Sequence, residues 1–134
     1  MLPAGHWNAL SMRAKDVRVV ERAALLIADL GADLDRQLGR ERRPAEQLRM
    51  LRETTNRITR IANDAVNAYQ RASRAVTAEL AKPNGNKVAA RQMRLVLDTA
   101  RLEVLRALEM ERHRYPSTDV AAPLPADRAE DARA

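Results

Sequence analysis

The chain has 134 residues, a net charge of +6 and a pI near 10.7, with no Cys, no Phe, one Trp and two Tyr. That length is one domain with enough chain to bury a core, and the lack of thiols excludes disulfides and thiolate metal sites. The longest apolar run, 23–28, falls far short of the ~20 residues that a bilayer span needs.

The first stretch, MLPAGHWNALSM, has neither a basic n-region nor an apolar h-region, so a cytoplasmic protein is expected. Within it, Trp7 is read as a staple over the bundle end, with a partner's pocket as the alternative. A first helix is predicted over 11–38. Val17, Val20, Ala24, Ile27, Gly31, Leu34 and Leu38 recur at spacings of three and four, and Val19, Ala23, Leu26 and Leu30 widen the stripe. The break LGRERRPAEQ comes next, with Gly39 suited to a helix C′ position and Pro44 to the first turn of the second helix.

The second helix is predicted over 44–81, about 57 Å at 1.5 Å per residue. Leu48, Leu51, Ile58, Ala62, Ala65, Tyr69, Ala72, Val76 and Leu80 mark its apolar seam. In the break AKPNGNKV, residues Pro83, Asn84 and Gly85 make a turn and Asn86 caps the third helix. That helix is predicted over 86–113, with Ala89, Met93, Val96, Ala100, Val104 and Ala107 on one face. Residues 115–134 carry Pro116, Pro123 and Pro125 with scattered acids and no helical stripe, the pattern of a disordered tail. The expected fold is all-α, an up-down-up bundle of three long antiparallel helices within 1–114.

The third helix has a second apolar stripe, Val88, Leu95, Leu102 and Leu105, away from its main face. This is either an extended core contact or a self-association surface, most simply that of a homodimer.

The second helix has a charged face. With Arg49 as origin at about 100° per residue, Arg60, Arg71 and Arg74 fall within about 40° of it, and Arg52 and Arg57 flank them. Asn56, Asn63 and Asn67 share the face, which lies opposite the seam and is interrupted by Glu53 and Asp64. Six arginines so placed suit a phosphate backbone, DNA or RNA, bound electrostatically and with low specificity. The other explanation is compositional: with 21 Arg against 3 Lys, arginine is this chain's default polar residue. No recognition helix of a helix-turn-helix is evident, and aromatic residues for base stacking are nearly absent.

The residues before Tyr115 hold 22 basic and 14 acidic side chains, a net of +8. Four acids against two arginines give the tail −2, a weak competitor for a basic face.

Catalytic and metal chemistry find little to stand on. Glu109 and His113 offer two ligands at i,i+4, and Asp29, Asp33 and Asp35 form an acidic strip, but three or four convergent ligands are needed. Ser11, Ser73 and Ser117 lack a recognisable base, and no glycine-rich phosphate loop is present. The expectation is a non-enzymatic protein without cofactor or metal. It would self-associate and bind an acidic partner, nucleic acid first. The alternative is a protein–protein adaptor, scaffold or chaperone in which arginine has no such role.

Overall fold

The computed structural model of the chain describes residues 10–114. They form three helices: α1 (Ala14–Arg40), α2 (Pro44–Ala81) and α3 (Lys87–Arg114). The helices pack on one another pairwise as an up-down-up bundle, as the periodicity and short connections predict. The expected tail, 115–134, and His6 and Trp7 lie outside the described residues.

Proline sets the start of α2. Arg43 is extended (φ −83°, ψ 120°), as a residue before proline prefers, and Pro44 occupies the first helical turn, where a missing N–H costs nothing. The preceding end differs from expectation. Helix α1 runs through Gly39 to Arg40 and ends on an extended Glu41, whose N–H donates to the Gln37 carbonyl (3.1 Å). No glycine among the described residues has positive φ, so Gly39 is not a left-handed cap.

Small side chains build the core. Ala23, Ala65, Ala68, Ala72, Ala90 and Ala100 are buried and let the helices approach closely, while Val20, Ile27, Val76 and Leu97 fill the remaining volume. Several seam positions differ from the periodic reading. Val19 and Leu26 on α1 and Leu48 on α2 are exposed, and Leu51 and Ile58 are half-buried. On α3 the buried face is turned by about one residue: Leu97 is fully buried, whereas Val96 is 40% exposed.

Burial is uneven along the bundle. Every buried residue of α2 lies between Ala65 and Glu79, in the half nearer the α2–α3 turn. The half from Pro44 onward carries only exposed and half-buried side chains.

The α2–α3 turn is built around a buried carboxylate. Glu79, 1% exposed, accepts the Asn86 N–H (2.7 Å) and faces Lys82 Nζ (3.4 Å). Asn86 Oδ1 accepts the Ala89 N–H, the cap expected of it. Lys87 Nζ donates to the carbonyls of Leu80 (2.9 Å) and Lys82 (3.0 Å) at the end of α2. Gly85 N–H closes the turn onto the Lys82 carbonyl (3.1 Å), and a Cβ at Gly85 would strike the Glu79 backbone carbonyl.

Candidate interaction surfaces

The nine polar residues singled out on α2 are all exposed: Arg49, Arg52, Arg57, Arg60, Arg71, Arg74, Asn56, Asn63 and Asn67. The arginines are not equivalent. Arg49 pairs with Glu46 one turn before it and with Glu53 one turn after (2.7 Å to Glu53). These carboxylates push the Arg49 guanidinium further above its usual range, and Arg49 in turn lowers Glu46.

Arg71 leaves the ridge and crosses to α1. Its Nε (3.2 Å) and Nη2 (2.9 Å) donate to Oδ1 of Asp16, while Arg13 donates to the other oxygen (2.9 Å). The hydrogen bonds from Arg71 to this nearly buried carboxylate raise the Arg71 pKa.

Arg57 and Arg60 line a groove of about 580 Å³ between α1 and α2. Its apolar side chains are Leu26, Leu30 and Ile61, and Asp29, Asp33, Asp64 and Arg36 complete the walls. The acidic strip of the first helix thus lies beside two of the ridge arginines. Asp33 is also bonded to its own helix, accepting from Arg36 (3.2 Å) and Gln37 (2.9 Å). Arg52, Arg57, Arg60 and Arg74 make no ion pair within 4.0 Å among the described residues. The face is therefore a mixed surface with four unpaired guanidinium groups. A helical wheel misses Asp16, Asp29 and Asp33 because it takes one helix at a time; the antiparallel α1–α2 hairpin brings them alongside.

On α3, Val88 (63%), Leu95 (69%), Leu102 (51%) and Leu105 (47%) are all exposed, so this second stripe is not part of the core. Leu105 also borders a groove of about 350 Å³ between α2 and α3, with Val66, Tyr69, Arg101 and Leu108. Polar contacts tie these two helices together at that level. Tyr69 donates to Asp98 (2.9 Å) and lies under Arg101 (5.9 Å to the ring centroid). Arg94 donates to the hydroxyls of Ser73 (2.8 Å) and Thr77 (3.2 Å).

His113 Nδ1 lies 3.0 Å from the Glu109 carbonyl oxygen and 3.3 Å from its carboxylate, a contact within the last turns of α3. Among the described residues no three His, Cys, Asp or Glu side chains gather as metal ligands, and no helix is long and apolar enough to cross a membrane. Compared with known proteins, the chain matches no family model, no curated protein and no solved structure.

Proposed function

We propose that this chain is a non-catalytic assembly module of the cytoplasm that works by helix-to-helix contact, first of all with copies of itself. The observation that carries this reading is the stripe Val88, Leu95, Leu102 and Leu105, exposed at 47–69% along α3. The core is complete without these side chains: Ala90, Leu97, Ala100 and Val104 fill the interior face of the same helix. Apolar side chains aligned on the outside of a helix favour a partner surface. Sedimentation velocity from about 1 to 100 µM tests it. The wild type self-associates, and Leu95→Glu with Leu102→Glu remains monomeric with an unchanged melting curve. A wild type that is monomeric throughout overturns the reading.

A second reading, binding of an acidic partner such as DNA or RNA, is favoured by the unpaired Arg52, Arg57, Arg60 and Arg74 and by the +8 charge of residues 1–114. Arg49 and Arg71 already hold carboxylates, so about four phosphate contacts remain, and the log–log salt slope on duplex DNA is about −3.6. Titration of a fluorescent duplex against salt measures it. Arg52→Glu with Arg74→Glu flattens the slope by about 2 units. Absence of binding at 50 mM salt eliminates this reading and leaves the assembly reading standing.

A further inference from the structure

The three helices do not end together. The Glu111 side chain lies over Gly31, and from that level α1 runs on to Arg40 while α3 stops at Arg114, a difference of about 9 Å. Tyr69 meets Asp98, and from that level α2 reaches about 13 Å further toward the α1–α2 link than α3 does. The α1–α2 hairpin therefore overhangs the end of α3 by roughly 10 Å.

The face that α3 fills continues onto this overhang. On α1, Leu38 lies two turns beyond Gly31 on the same side of the helix. On α2, Tyr69 and Ala62 border the groove against α3, and Ile58, Leu51 and Leu48 follow them at helical spacing. Leu34, level with the end of α3, is still buried. Past that level Leu38 and Leu51 are half-buried and Leu48 is 47% exposed.

We infer that residues 115–124, which follow α3 directly, lie along the overhang and cover Leu38, Leu48 and Leu51 with Tyr115, Val120 and Leu124.

Position selects this occupant. Helix α3 delivers the chain at Arg114 to the edge of the uncovered face, so the next residues enter it without a connecting loop. Tyr115 precedes Pro116, and a residue before proline is turned from helical to extended backbone. At about 3.1 Å per residue, an extended proline-containing segment from 115 to 124 spans about 30 Å, enough to cross from α1 to α2 over the overhang. Tethering at Arg114 also gives the segment an effective concentration on the order of millimolar, and it pays none of the association cost that a second molecule pays.

Charge favours the same contact. Residues 35–53 and 111–114, which form this end of the bundle, hold eight arginines against five acids. Residues 115–134 hold four acids against two arginines. The outer stripe of α3, Val88, Leu95 and Leu102, is not used, so the inference stands apart from the self-association reading.

Methyl NMR of the full chain tests this. NOEs within one molecule are expected from Val120 and Leu124 to Leu38, Leu48 or Leu51. Val120→Ser with Leu124→Ser removes them and quickens amide exchange over 47–52, leaving exchange over 97–100 unchanged. Leu48→Glu, at a side chain already 47% exposed, removes them from the opposite surface. A mixture of isotope-labelled and unlabelled chains separates contacts within a molecule from contacts between copies. Absence of these NOEs, or NOEs between copies alone, overturns the inference. So does exchange over 47–52 that stays at the wild-type rate in the Val120→Ser, Leu124→Ser variant.

Discussion

Arg71 on α2 and Asp16 on α1, 55 positions apart in sequence, meet through two hydrogen bonds of 3.2 and 2.9 Å to one carboxylate oxygen. Arg13 holds the other oxygen, so Asp16 joins the start of α1 to the second half of α2. Asp16 is nearly covered, whereas the Arg71 side chain is 49% exposed, and solvent screens part of the attraction. Arg71→Ala is expected to lower the melting temperature modestly, because it leaves the nearly covered Asp16 carboxylate with Arg13 alone. Asp16→Asn costs a similar amount, and the double variant costs less than the sum. Thermal unfolding of the three variants measures the coupling.

Glu79 is the more sensitive carboxylate. Glu79→Ala leaves the Asn86 N–H without its acceptor and opens space under the turn, at an expected cost of about 2 kcal/mol. Urea denaturation with an unchanged m-value establishes that this is a loss of stability alone.

Two glycines separate backbone from side-chain crowding. A Cβ at Gly85 meets the Glu79 backbone carbonyl, which is fixed by the turn, so Gly85→Ala is expected to lose about 2 kcal/mol. A Cβ at Gly31 meets the end of the Glu111 side chain, which can swing aside. Relief of helical glycine contributes about 1 kcal/mol in the other direction, so Gly31→Ala stays within about 1 kcal/mol of wild type. Paired chemical melts of the two variants distinguish these outcomes.

The link between α1 and α2 supplies a pH test. The Arg43 side chain and backbone N–H hold the Glu41 carboxyl at about 2, against an ordinary 4.5. A depressed carboxyl contributes stability that is fully present above its unfolded value and is lost as pH falls through the folded one, here between about 4.5 and 2. Carboxyl NMR titration should show the low midpoint in the wild type and one raised part of the way back in Arg43→Ala, where the backbone N–H of residue 43 still donates. The effect on melting is small because the pair is at the surface.

The core of α3 separates two leucines that differ little in sequence. Leu97→Ala is expected to cost about 3 kcal/mol, being fully buried. Leu95→Ala changes monomer stability by less than about 0.5 kcal/mol, being 69% exposed. Melting curves of the two variants at low micromolar concentration separate them.

Those two leucines also mark how far the sequence can be read. Pro44 and the Pro83–Gly85 turn punctuate the chain, so the bounds of α2 are legible to the residue. The buried side of α3 is not. Apolar residues surround that helix, and periodicity alone places Val96 inside and passes over Leu97. Which flank turns inward is decided by where α1 and α2 sit. Glu79 is hidden from pattern reading for another reason: a charged residue enters a core only when local donors meet it, and its donors come from the turn. The arginine face is legible as exposed. Asp16, which pairs with Arg71, and Asp29 and Asp33, which line the groove beside Arg57 and Arg60, belong to a neighbouring helix and leave no mark on a single-helix projection.

The concentration of buried residues near the α2–α3 turn gives the bundle a hard end and a soft end. Amide exchange should be slowest over 68–76 and 97–100 and should quicken toward Glu41, where α2 has only partly covered neighbours. The α1–α2 groove lies over the soft half. Cover added at that groove falls on the half of α2 with no fully buried side chain, so a molecule that settles there is read out as slower amide exchange toward Glu41.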